Sequence, residues 1–218
     1  MHPTALKHGR LFFETYVAGR PAPTVVEIGS QDVNGSLRDV CPPGCSYVGL
    51  DFVAAKGVDV VLEDPYALPL PDASVDFVVS SSCFEHSELF WVLFLEAIRI
   101  LKPNGLFYLN APSNGAFHRY PVDCWRFYPD SGKALVAWAR RNGYRTALLE
   151  SFIGKQEHEQ WSDCVAVFLK DEAALAEFPG RILHGYRDFE NGLLYGSDRV
   201  FNWQDHPEDR RRLLNIAR

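Results

Sequence analysis

Short apolar runs rich in β-branched residues alternate with longer helix-like stretches along most of this chain. Thr24-Val25-Val26-Glu27-Ile28, closed by Gly29, reads as a buried strand. Tyr47 to Asp51 reads as a second strand, Val58 to Leu62 as a third and Val75 to Val79 as a fourth. A fifth, Gly105 to Leu109, follows directly on the Lys102-Pro103-Asn104-Gly105 turn. Between the fourth and fifth, Ser87 to Leu101 is long enough for about four turns of helix. Its few charges are Glu88, Glu96 and Arg99, which predicts a largely buried helix. Pro129-Asp130-Ser131 opens another helix that runs through Arg141 and stops at Asn142-Gly143. Tyr144 to Phe152 and Cys164 to Leu169 are strand-like, with no helix between them. Strands alternating with helices predict an α/β fold, a parallel sheet covered on both faces, with the late pair antiparallel at one edge. Residues 1–170 read as one domain with an N-terminal helix. Residues 171–218 read as a C-terminal extension, either a lid or a contact for a homodimer.

Composition narrows the function classes. Against 28 Asp+Glu stand 22 Lys+Arg, a formal charge of −6 over 218 residues. That mild acidity provides no basic stripe for a nucleic-acid backbone. With 47% hydrophobic and 23% charged residues, the chain has the balance of a soluble globular protein. Its longest unbroken apolar run, Leu89 to Leu95, is far short of a membrane span. Met1 to Arg20 lacks the apolar stretch of a signal peptide, and the five cysteines fall at irregular places, so a reducing cytoplasm is expected. No metal is expected. Cys41 and Cys45 have no second pair at zinc spacing, and Glu157, His158 and Glu159 are consecutive loop residues, which seldom converge on one ion. Arg210 to Arg212 reads as a solvated helix face.

Candidate chemistry lies at the strand ends, because ligands of open α/β sheets bind where strands give way to helix N-termini. The first strand ends in Glu27-Ile28-Gly29-Ser30, with Gly35 after a polar loop. Asp51 ends the second strand, 22 residues after Gly29, where an acid can accept both hydroxyls of a ribose. Asp64 follows the third strand, and Ser80 and Ser81 end the fourth. Gly29-Ser30-Gln31-Asp32-Val33-Asn34-Gly35 breaks the G-x-G-x-x-G pattern at its second glycine, which argues against NAD or FAD.

These segments resemble the class I S-adenosylmethionine-dependent methyltransferases of the type 11 group. The resemblance rests on Val25 to Gly29, Gly49-Leu50-Asp51, Leu68 to Asp76, Glu85-His86 and Ile100 to Gly105, in the expected order over roughly Thr24 to Asn110. It implies a Rossmann-like, doubly wound seven-stranded sheet, mostly parallel, with a reversed last strand, and S-adenosyl-L-methionine as cofactor. Glu27 would support the methionine end and the loop lined by Gly29, Ser30 and Gly35. Asp51 would hold the ribose hydroxyls with Phe52 beside the adenine, Asp64 would face the adenine amino group, and Ser80 and Ser81 would lie beside the sulfonium. Gln31 and Val33 stand where the family usually has glycines, so this loop is an alternative turn.

After the fifth strand, Phe117 to Pro129 combines aromatic rings, two arginines, a histidine and an aspartate in a segment that must cross the sheet's carboxyl edge. Such surroundings suit a small polar acceptor. His118 and Asp123 are the candidate bases for a hydroxyl acceptor, and Tyr120, Trp125 and Arg126 are the candidate substrate contacts. The competing reading makes Asp123 and Arg126 an ion pair that pins the loop, with Trp125 and Phe127 in the core. The Tyr-Pro-x-Asp-x-Trp-Arg-Phe spacing also resembles a methyltransferase group associated with saccharide or secondary-metabolite tailoring. Together these readings give a small-molecule methyltransferase, acting on oxygen of a sugar-containing or related metabolite. A catalytically silent cofactor-binding scaffold is the alternative, and neither nucleic acid nor membrane is an expected partner.

Overall fold

A computed structural model of the chain describes residues 2–157 and 161–205. Helix α1 (Pro3–Phe12) carries proline in its first turn, where no intrahelical N–H is needed, and widens into one π turn at Phe13–Val17. The strands are β1 (Thr24–Ile28), β2 (Ser46–Asp51), β3 (Val60–Val61), β4 (Val75–Ser81) and β5 (Leu101–Pro112), then β6 (Ala147–Gly154), β7 (Asp163–Leu169) and β8 (Phe189–Leu194). Helices α2 (Phe90–Ile100) and α3 (Pro129–Arg141) follow β4 and β5, and a single turn, α4 (Ile182–Gly185), precedes β8.

The eight strands form one sheet in the order β3-β2-β1-β4-β5-β7-β6-β8. Neighbours from β3 to β5 are parallel, whereas β7 runs antiparallel to both β5 and β6, and β8 antiparallel to β6. This is the doubly wound, mostly parallel α/β sheet with a reversed seventh strand. The late pair is antiparallel as expected, with β7 inserted between β5 and β6. Other details differ from the sequence expectation. An eighth strand from the segment after residue 170 then covers β6. Within it, Asn191 adopts a positive φ of 51°. Helix α2 also starts at Phe90 rather than Ser87, and the third strand shrinks to two residues.

Successive strand residues face opposite layers. Val26, Val78, Phe107 and Phe168 pack with Phe94 and Ile98 of α2 and Leu135 of α3. Val25, Phe77, Tyr108 and Val167 pack with Phe12, Phe13 and Tyr16 on the other side. Ile182, Tyr186 and Phe189 join that second layer, so the described part of the C-terminal segment sits on the α1 face. Buried Glu150 fixes it there by accepting from the backbone N–H groups of Ile182 (2.8 Å) and Leu183 (3.0 Å) and from the Tyr16 hydroxyl. Among the described residues, no helix is long and apolar enough to cross a membrane.

Candidate functional site

A cavity of about 590 Å³ opens at the carboxyl ends of β1, β2 and β4. One wall is built by backbone. Gly29 ends β1 with φ +78°, and a Cβ there would stand 2.5 Å from the Cys83 Cβ, so a side chain is barred by both torsion and space. The Gln31–Asn34 turn lacks further glycines and closes through Asp32, whose carboxylate accepts from the Gly35 N–H (2.8 Å) and pairs with Lys56 (2.5 Å). Beneath it, buried Glu27 accepts from the hydroxyls of Tyr47 (2.8 Å) and Ser36 (3.4 Å). Burial pushes the Glu27 carboxyl up to about 7, with the two hydroxyls pulling the other way.

Asp51 ends β2 with its carboxylate on the cavity wall, accepting from the backbone N–H groups of Gln31 (3.2 Å) and Val53 (3.3 Å). Each carboxylate oxygen retains acceptor capacity for a ligand hydroxyl. Half-exposed Phe52 lies beside it. At the end of β4, Ser81 lines the cavity, and its buried Oγ has no hydrogen-bond partner. A buried hydroxyl without a partner is costly, so a polar ligand atom would fit here.

Residues 113–128 build the opposite wall by side-chain contacts. Gly115 adopts φ +103°, and any Cβ would collide with the Trp161 ring packed beneath. Arg126 forks onto both oxygens of Asp123 (2.6 and 2.9 Å) and reaches the Ala116 carbonyl (3.0 Å). Asp123 also accepts from the His118 backbone N–H (2.7 Å). The Arg126 guanidinium holds the Asp123 carboxyl at about 2, well below the usual range. Trp125 donates its indole N–H to the Ser87 carbonyl (2.9 Å) and meets Phe90 edge-on. The Glu85 carbonyl accepts from Cys124 and Trp125 N–H groups, which ties the loop to the end of β4. Across the cavity mouth, Tyr120 donates its hydroxyl to Gln31 Oε1 (3.1 Å).

The cavity therefore brings together Gly29, Gly35, Asp51, Phe52, Ser81 and Tyr120. The other candidates lie off its lining. Ser30 packs its side chain against Gly49, Ser80 donates to the Ile28 carbonyl (2.9 Å), and exposed Asp64 accepts from the Tyr66 N–H (2.8 Å). Glu27 acts from below, through Ser36 and Tyr47. Asp123 is committed to Arg126, which makes it a poor base, and Trp125 and Arg126 belong to the loop's internal scaffold; Trp125 is nevertheless partly exposed while Phe127 is core. His118 stands just behind the wall, its ring 4.9 Å from that of His86. His158 and Glu159, like Arg210 to Arg212, lie outside the described residues.

Sequence reasoning missed Gln31, Cys83 and Arg119 on the wall, and it weighed His86 toward packing or capping ahead of chemistry. His86 bonds to the Val122 carbonyl through Nδ1 (2.5 Å), and burial depresses its pKa. Next to it, Glu85 is only 1% exposed, Oε2 has no hydrogen-bond partner, and burial pushes its carboxyl up to about 8. The signal in sequence was the Glu85-His86 dipeptide directly after a strand end that was already marked.

Residues 32–109 match the sequence family described as a methyltransferase domain. An uncharacterized methyltransferase of Mycobacterium avium is 29% identical over 144 residues, 63% of this chain and 53% of that protein. The chain thus spans about half the length of this curated relative. Among solved structures, 1,6-didemethyltoxoflavin-N1-methyltransferase of Burkholderia thailandensis superposes with a TM-score of 0.61 at 14% identity, over 77% of this chain and 79% of that one; its structure holds 1,6-didemethyltoxoflavin and S-adenosylhomocysteine. The methyltransferase complexed with the Trm112 activator of Haloferax volcanii gives 0.54 at 19% identity, over 77% and 89%. The [4+2]-cyclase SpnF gives 0.55 at 13%, over 76% and 81%. The chain therefore shares the fold of these solved structures, and its residues 32–109 match the methyltransferase domain family.

Proposed function

We propose that the protein is an S-adenosylmethionine-dependent methyltransferase that acts on a small molecule, most naturally on an oxygen atom of a sugar-containing or related metabolite. The observation that carries this reading is the backbone-built wall, where Asp51 and Ser81, whose buried hydroxyl has no hydrogen-bond partner, line one cavity beside a glycine that admits no side chain. Its size suits a nucleoside-sized ligand. Asp51 would accept the ribose hydroxyls, Phe52 would cover the adenine, and Ser81 would meet the polar methionine end. Glu27 holds the loop in place through Ser36, and Asp64 acts on the adenine side only through the backbone of Tyr66, its hydrogen-bond partner. Bound there, the cofactor supplies an electrophilic methyl group on a sulfonium.

The loop wall has the other task. Tyr120, Arg119 and His86 border the space left for an acceptor, and the Asp123–Arg126 clamp holds that border rigid, which favours in-line alignment. A hydroxyl acceptor must lose its proton, and the His86–His118 end of the wall is where the chain offers groups for this. The fold alone does not fix the reaction, since one of its neighbours is named a cyclase. Calorimetric titration with S-adenosylmethionine, S-adenosylhomocysteine and NAD in parallel tests the reading. Micromolar binding of the first two and none of NAD is expected; no binding of the sulfonium pair would move the silent scaffold to the front.

A further inference from the structure

We propose that Glu85, His86 and His118 form a binding site for one divalent first-row transition-metal ion at the acceptor end of the cavity. A carboxylate oxygen and one ring nitrogen from each histidine all lie within 4.8 Å of one another. Donors on a single tetrahedral ion at about 2.0–2.2 Å stand about 3.3–3.6 Å apart, so rotations of the three side chains that close the widest gap by about 1 Å complete the set.

Three further observations point to a ligand. Glu85 Oε2 is buried without a hydrogen-bond partner, and a buried carboxyl oxygen left unsatisfied is unfavourable. A cation between Glu85 and the imidazoles removes that conflict. Second, both histidines are held from the same side. His86 donates Nδ1–H to the Val122 carbonyl, which leaves Nε2 as its lone-pair nitrogen, 3.7 Å from Glu85 Oε1. His118 has Nδ1 3.3 Å from the Ala116 carbonyl and 3.4 Å from Asp123 Oδ2, which assigns the proton to Nδ1 and again leaves Nε2 free to ligate. Anchoring of the far ring nitrogen by a carbonyl or carboxylate is what orients metal-bound histidines. Third, Asp123 is itself fixed by Arg126, so the anchor of His118 does not wander.

Two imidazoles and one carboxylate suit zinc, iron, cobalt, nickel or manganese and leave coordination positions open. His86 lines the cavity, so an open position adjoins the acceptor space, where a coordinated hydroxyl would lose its proton more readily. That consequence rests on the methyltransferase reading; the site itself does not.

The test is titration of the full chain, cleared of metal by chelation, with Zn²⁺ by calorimetry and with Co²⁺ by its visible absorption. S-adenosylhomocysteine affinity is measured on every sample as an independent readout of the cofactor reading and of folding. One equivalent of tight-binding ion is expected for the wild type. His118→Ala and Glu85→Gln should each weaken binding at least tenfold with S-adenosylhomocysteine affinity retained, and His184→Ala should leave it unchanged. Absence of metal binding in the wild type overturns the proposal. So does binding that survives in His118→Ala and Glu85→Gln, or that disappears in His158→Ala instead.

Discussion

The two walls of the cavity are built by different means. At the strand ends, position follows from sheet register: β1 pairs Ile28 with Leu50 and with Ser80, so Gly29, Asp51 and Ser81 follow at adjacent ends. The 113–128 wall has no such ladder and depends on a few polar side chains, above all Asp123 and Arg126. The first wall tolerates a change in its turn, as Gln31 to Asn34 shows, because Asp32 replaces the glycine chemistry with a side-chain acceptor. The second is tied to the sheet end through the Glu85 carbonyl and Ser87, but within the loop Asp123 and Arg126 are the central clamp, and its loss should spread toward His118 and Ala116.

The largest break should come from the register-built side. Asp51→Ala is expected to weaken S-adenosylmethionine binding at least tenfold, about 1.4 kcal/mol or more, measured by calorimetry; unchanged affinity would remove the ribose assignment. Arg126→Met should next lower turnover about tenfold while cofactor affinity stays within twofold, because Asp123 is left buried without its partner and the loop loosens. Equal losses in turnover and in cofactor affinity would mean that the walls are not separable. Tyr120→Phe removes only the bridge to Gln31, an exposed hydrogen bond of about 1 kcal/mol at most. A change of severalfold in KM with little change in kcat would sharpen the picture of a mouth contact.

The smallest effect concerns pH. The folded Glu27 carboxyl lies at about 7, above its ordinary value of 4.5, so the folded state binds this proton more tightly than the unfolded one. Its stabilisation is full below about pH 4.5 and is lost as pH rises through 7. Glu27→Gln should therefore flatten the decline in Tm between these values for the ligand-free protein, and an unchanged decline would assign it to other groups.

The parallel half of the sheet was legible because its strands are β-branched runs punctuated by glycine and acids, and burial on both faces leaves such runs unmixed. β8 was not legible. Phe189-Glu190-Asn191-Gly192 carries a turn signature, and its strand conformation follows from covering the β6 edge and from Glu150 holding the preceding turn. In the site, Asp51 and Gly29 could be read from spacing alone. The partnership of Asp123 with Arg126 could be weighed but not decided, since the same two residues fit an acceptor contact or an internal clamp. The contact of His86 with His118 was not legible, because the two lie 32 residues apart and meet only when the loop folds back.

The strand order also has a consequence for how the protein comes into being. β6 is synthesised before β7, yet β7 lies between it and β5. When residue 154 leaves the ribosome, β6 has no finished neighbour in the sheet. The strand must wait until residue 169 has followed, and its outer side waits longer still for β8. The emerging chain thus holds an apolar strand, with Leu149, Phe152 and Ile153, that cannot be paired for several further stretches of translation. Non-local pairing of this kind is slow and exposes sticky surface. The stages between residues 154 and 194 are therefore where this protein most needs protection from its neighbours in the cell.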